Sequence, residues 1–322
     1  MDNPVLVEVV RSRFVESVHH GALVILGPDG SPLLELGEVR SPVYPRSANK
    51  PLQGLGMLRA GLDLDEADLA LGCASHNGEP EHVRRALALL ERHGLGEEAL
   101  ACPPDRPLYQ PCAATGSRRA AMNCSGKHAA MLATCVQADR PTEGYGHPEH
   151  KLQRTIAETV VEATGEPIAA TGVDGCGAPL FAFSLTGLAR AYQGLVTAAG
   201  DQRRIADAMR AHPWLVAGTG REDTLLMLAV PGLLAKGGAE GVHAMALPDG
   251  TAIALKIDDG ATRARNPLLV AALRELGALP DNPAARSVLD GLAAGEVRGG
   301  GRRVGELRVR EGVLRTGRGP AS

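Results

Sequence analysis

The chain has 322 residues, 44% of them hydrophobic and 22% charged, with a formal net charge of −3 at pH 7. That length suits one large domain or two modest ones with ample buried core, and the charge balance excludes the basic surface that holds nucleic acid or an anionic membrane. Aromatic residues make up only 2%, so the core is expected from Leu, Val, Ile and Ala, and stacking on bases or sugars is not the expected mode of recognition.

The N-terminal stretch lacks the basic start and long apolar core of a signal peptide, and no apolar run reaches the length of a membrane span. A cytoplasmic chain is therefore expected, with its six cysteines reduced rather than bridged. Residues 5–10 and 22–26 read as strands. The Gly27-Pro28-Asp29-Gly30 turn signal links the second of these to a strand at 33–36. From Lys50 the pattern turns helical, with Leu52, Leu55 and Leu58 on one face. Residues 69–74 form a short buried segment that ends at Ser75-His76-Asn77-Gly78, and 81–93 is an amphipathic helix. Residues 101–120, rich in Pro, Cys and Gly, read as an irregular loop. Helices follow at 129–138 and 151–164, then a strand at 169–173 with a tight turn. Residues 180–199 and 202–211 read as helices, 225–234 as an apolar segment, and 242–247 and 252–257 as strands. Helices at 267–276 and 287–293 precede the last strands, near 304–314.

No repeat or linker divides the chain. Residues 1–315 read as a single catalytic domain, and 316–322 as a disordered tail. The order of strands, many helices, then strands predicts an α/β fold in which both termini share one mainly antiparallel sheet, with a helical region inserted between them. A βαβ-repeat sheet does not fit that order.

Two groups of residues carry chemistry. In Arg46-Ser47-Ala48-Asn49-Lys50-Pro51, Ser47 and Lys50 stand three apart, one helical face. Pro51 is tolerated in a first turn, so the helix begins near Ser47, where free N–H groups and partial positive charge gather. A serine beside a lysine suits nucleophilic catalysis, provided the lysine can lose its proton through burial or a neighbouring cation. Ser47 on its own also reads simply as a helix cap, and Ser-x-x-Lys is a short motif that recurs by chance. Ser-x-x-Lys followed by Ser75-His76-Asn77 and then Lys236-Gly237-Gly238 has the order of the serine β-lactamase motifs. The second group pairs Asn123-Cys124-Ser125-Gly126-Lys127-His128 with Asp174-Gly175-Cys176. Its two cysteines are either buried free thiols or ligands of a soft metal.

With these blocks, together with His212-Pro213, Gly220-Arg221 and Lys256-Ile257-x-Asp259-Gly260, nearly the whole chain resembles the rhizobial-type L-asparaginases, the asparaginase II or class 3 family. The resemblance implies a fold similar to the serine β-lactamases and one glutaminase class, and hydrolysis of L-asparagine to L-aspartate and ammonia. It implies two catalytic pairs, Ser47–Lys50 and Ser75–Lys236. The second pair would relay a proton to ammonia and then activate water. It also implies zinc held by Cys124, Lys127 and Cys176, and a homodimer. Substrate-binding roles fall to Arg46, His76, Asn77 and Asp174. The alternatives are an acyl-serine hydrolase of β-lactamase or peptidase type, a glutaminase, and a catalytically silent zinc- or amino-acid-binding protein on the same fold.

Overall fold

The computed structural model describes residues 3–315; the expected disordered tail lies outside the described residues. The strands are β1 Val5–Arg11, β2 Phe14–Leu26, β3 Pro32–Leu36, β4 Pro42–Val43, β5 Ala170–Val173, β6 Pro179–Ser184, β7 Leu234–Gly237, β8 Val242–Ala246, β9 Ala252–Ile257, β10 Glu296–Gly299 and β11 Arg302–Val309. The helices are α1 Lys50–Arg59, α2 Glu66–Gly72, α3 Pro80–Arg92, α4 Ser125–Gln137, α5 Lys151–Thr164, α6 Leu185–Thr197, α7 Asp201–Ala211, α8 Pro213–Val216, α9 Glu222–Ala229, α10 Thr262–Glu275 and α11 Pro283–Ala293.

Both ends of the chain build one sheet, in the order β10-β11-β1-β2-β9-β8-β7, with β3 added to β2. Its pairings are antiparallel, and the C-terminal β11 lies against the N-terminal β1 through Val7↔Val309 and Val9↔Leu307. This is the expected α/β fold with its inserted helical region. Every residue of β8 is buried, as are all but one of β9. Successive side chains of a strand point to opposite faces, so both faces are covered there. Helix α6 packs on β2, β8 and β9, and α10 on β1 and β9. Among the described residues no helix is long and apolar enough to cross a membrane.

The structure corrects several expected elements. Residues 69–72 of the expected buried segment belong to a helix, α2, which starts earlier because the Asp65 side chain caps it by accepting from the Asp68 N–H. The helix expected over 180–199 is two elements. Pro179–Ser184 is a strand buried throughout, and α6 begins only at Leu185, where the Ser184 hydroxyl accepts from Gly187 N at 2.9 Å. A short apolar run buried on both faces looks alike as strand or helix, and the serine cap was the signal that separates them. The apolar stretch 225–234 likewise divides into the end of α9 and the start of β7.

Helix α1, which continues from the Ser47 turn, crosses α5 at close range. A Cβ on Gly56 would lie 2.8 Å from the Ile156 Cα. Gly56→Val is therefore expected to destabilise the protein by about 1–3 kcal/mol through overpacking. Urea melts would measure this, and an unchanged midpoint would show that the helices can separate at no cost.

Candidate active site

Arg46 to Asn49 form a 3-10 turn that runs into α1 at Lys50, with Pro51 in the first helical turn. Arg46 sits at φ +50°, a left-handed conformation that costs a non-glycine residue about 1 kcal/mol or more. Backbone strain of this kind gathers at functional sites. Several contacts hold the turn, among them a hydrogen bond from the Tyr192 hydroxyl to the Ala48 carbonyl at 2.8 Å. The Arg46 Nε donates to Asp174 Oδ1 at 2.9 Å. The backbone after β7 presses against it, so that a Cβ on Gly238 would lie 2.5 Å from the Pro45 carbonyl oxygen and 3.2 Å from Ala48 N. Only glycine permits that approach, and it brings β7, with Lys236, beside Ser47.

Ser47 and Ser75 line one cavity of about 430 Å³, together with Arg46, Cys124, Asp174 and Cys176. Ser75 lies in the loop after α2, where its N–H donates to the Val216 carbonyl at 3.0 Å and its own carbonyl accepts from Arg221 at 3.3 Å. Behind the cavity wall lie three lysines, Lys50, Lys127 and Lys236, each no more than 1% exposed. The chain contains just five lysines, so most of them are buried at one place. Lys50 Nζ donates to the Ala74 carbonyl at 2.5 Å and contacts Cys124 Sγ at 3.0 Å. Its bonds thus go to the Ser75 loop and the thiol, not to Ser47 Oγ. Lys236 Nζ donates to Asp223 Oδ2 at 2.7 Å rather than to Ser75. Burial draws Lys236 below the ordinary lysine range, opposed by Asp223 and assisted by Lys50. Asp223 is itself held well below the usual carboxylate range, because Lys236 and His243 outweigh its burial.

Lys127 Nζ lies 3.2 Å from Cys176 Sγ. The hydrogen bond from Cys124, then Lys127 and His128, hold Cys176 far below the ordinary thiol range against its burial. Cys124 moves the opposite way, pushed well up by that same bond and by burial. Burial works against a charged Lys127, but Cys176, Cys124 and Asp174 outweigh it and raise it above the lysine range. Cys176 and Lys127 thus favour each other's charged forms across their contact. Two sulfurs and an amine meeting in a buried pocket have the donor chemistry of a soft-metal site, so the residues present fit zinc. Among the described residues no group of three His, Cys, Asp or Glu side chains does so; the third donor here is a lysine.

His76 and Asn77, expected at the substrate, lie outside the cavity lining. The His76 Nδ1 accepts from Gly78 N, so its Nε2 donates to Ser125 Oγ at 3.0 Å, and its ring stacks on His82, which in turn stacks on Trp214. Asn77 donates to Glu79 and the Thr219 carbonyl and accepts from Arg221. Both side chains brace the Ser75 loop. The cavity also holds groups to which the sequence assigned no role: Asp105, Arg221, and the ion-paired Glu222 and Arg265. Glu222 and Asp223 read only as part of the polar start of α9, and nothing in their spacing links them to Lys236 or Arg265.

A family model for L-asparaginase II matches residues 7–309. The chain belongs to that family. Membership carries an amidohydrolase function of asparaginase type. No match is found among curated proteins. Similar solved structures include a β-lactamase from Mycobacterium bovis, at 15% identity and a TM-score of 0.42, covering 85% of this chain and 95% of that one. Another is a hydrolase described as having promiscuous acyltransferase activity, at 12% identity and a TM-score of 0.40, covering 74% of this chain and 88% of that one.

Two outcomes follow for this member of the family. Gly238→Ala must displace the Ser47 turn, so kcat/KM is expected to fall by about 10²-fold while the fold persists; steady-state kinetics with a melting curve would check this, and wild-type kinetics would contradict it. Burial holds His76, His82, His128 and His243 below the usual imidazole range. The unfolded chain takes up these protons near about pH 6.5 while the folded imidazoles stay neutral. Stability is therefore complete above that pH and declines as pH falls below it, towards the folded values. Calorimetry should show the melting temperature dropping between about pH 6.5 and about pH 5; a flat profile there would be evidence against neutral buried imidazoles.

Proposed function

We propose that the protein hydrolyses the side-chain amide of L-asparagine through an acyl intermediate on Ser47. The observation that supports this most strongly is the facing of Ser47 and Ser75 into one cavity with Lys50 and Lys236 buried directly behind. Ser47 Oγ attacks the amide carbon, and its proton passes to the neutral form of Lys50, three residues along the same turn. The main-chain N–H groups of Ser47 and Ala239, both cavity residues, supply donors to the oxyanion. The C–N bond then breaks as a proton reaches the departing ammonia by way of the Ser75 hydroxyl. Water next attacks the ester carbon, gives one proton back along the same path, and releases L-aspartate with Ser47 restored. Arg46, paired with Asp174, lies at the cavity wall for the substrate's α-carboxylate.

Zinc held by Cys124, Lys127 and Cys176 would supply a fixed positive charge beside the substrate. Lys127 must give up its proton to serve as a ligand, so affinity should rise with pH. Through its contact with Lys50, Cys124 ties the state of the thiol pair to the position of the base. A homodimer and a cytoplasmic location belong to the same proposal.

Ammonia release from L-asparagine and L-glutamine, with and without a chelator, tests the reading. Ser47→Ala and Lys50→Ala are each expected to lower kcat by about 10³-fold or more. Chelation should raise KM and leave the melting temperature unchanged. One methylene separates the two amides, a difference of about 1–3 kcal/mol in a pocket, so a clear preference for L-glutamine would make the protein a glutaminase. Turnover of a chromogenic cephalosporin without either amide would make it an acyl-serine hydrolase of β-lactamase type. Asparagine binding without ammonia release would leave only the binding protein.

A further inference from the structure

The two lysines behind the serines have partners of different kinds. Lys50 faces a carbonyl and a thiol. Lys236 donates to the Gly237 carbonyl at 2.8 Å and faces a carboxylate, and that carboxylate is fully committed. Asp223 Oδ2 takes the Lys236 ammonium at 2.7 Å, while Oδ1 accepts from Gly237 N at 2.8 Å and from His243 Nε2 at 3.0 Å. Lys236, Asp223 and His243 are all 0% exposed. The His243 Nδ1 has no hydrogen-bond partner among the described residues, so the ring carries its one proton on Nε2 and is neutral. The charge of Asp223 is thus answered by Lys236.

Resting on the asparaginase reading, we infer that Asp223 is a positioning residue that keeps Lys236 an ammonium at neutral pH beside the cavity, a source of charge for the reaction and not a carrier of protons. The second Ser–Lys pair then divides its work. Ser75 passes the proton, and Lys236 stabilises the negative charge that develops on the amide oxygen.

The groups facing Lys236 differ in sign, and Asp223 is the one that favours its charge. Lys50 from α1 and Arg221, just before α9, oppose it. Cys73, after α2, and Tyr192, from α6, are kept neutral by burial, the former pushed up to about 12. Arg265 from α10 is taken by Glu222. Asp223 is the anion in contact with the ammonium. Neutralising either partner would leave the other charge buried and unanswered, a costly state for a protein interior.

The chain has five lysines, so a protein labelled with 15N at lysine Nζ gives few enough signals to read one by one. Lys236→Met assigns the signal of Lys236 by its loss. In the wild type this signal is expected to keep its ammonium position from about pH 6 to about pH 9, and in Asp223→Asn to move to the amine position at neutral pH. Asp223→Asn should lower kcat for L-asparagine by at least about tenfold with KM little changed, and it should lose melting temperature that Asp223→Asn/Lys236→Met recovers. A wild-type Lys236 signal that titrates within that pH range, or Asp223→Asn with wild-type kcat, would overturn the inference. The wild-type titration needs no folded Asp223 variant. If the wild type releases no ammonia from L-asparagine, the functional reading fails, and the spectrum still decides the charge on Lys236.

Discussion

An amine buried out of water is the constraint around which the rest of the site is arranged. Moving a charged group into a protein interior costs several kcal/mol unless a partner answers it, and this chain does so with three of its five lysines in one place. Each has a different answer. Lys127 has the Cys176 sulfur, Lys236 a carboxylate and a carbonyl, and Lys50 a carbonyl and a thiol. The differences are chemical instructions. A carboxylate in contact favours the ammonium form of its lysine, and a carbonyl or a thiol offers no such full charge.

The fold makes this arrangement possible through close backbone approach. Lys236 is on β7, an end strand of the large sheet. Gly238, just beyond it, lets that backbone lie against the Ser47 turn at a distance no side chain would tolerate. The turn is held from the other side by Arg46 and Asp174. Strain in Arg46 and the absence of a Cβ at Gly238 are thus two parts of one device, which presents Ser47 to the cavity and sets the cationic edge of the sheet beside it. The Ser75 loop completes the wall, braced by the stacked rings of His76, His82 and Trp214.

Much of this was legible along the chain. The β-branched runs at both ends and the helical periodicities between them specify a sheet with an inserted helical region, because burial period follows directly from backbone geometry. Ser47, Lys50 and Pro51 mark a helix start within six residues, and the block from Asn123 to His128 is distinctive in residue type. The division of 180–199 into strand and helix was not legible, since Leu180 to Phe183 are apolar in either conformation and Ser184 alone signals the boundary.

What the sequence determined by itself is the local part: which segments pair or coil, where the first helix begins, and which nucleophiles, amines and thiols the chain owns. Tertiary structure alone decided their partners. Asp223 lies 13 positions before Lys236 and His243 seven after it, and no periodicity joins a helix start to two antiparallel strands. The same is true of Lys50 meeting a thiol 74 residues away. Charge states in a buried site depend on contacts made across the fold at distances of about 3 Å, and those contacts exist only once sheet and helices have packed.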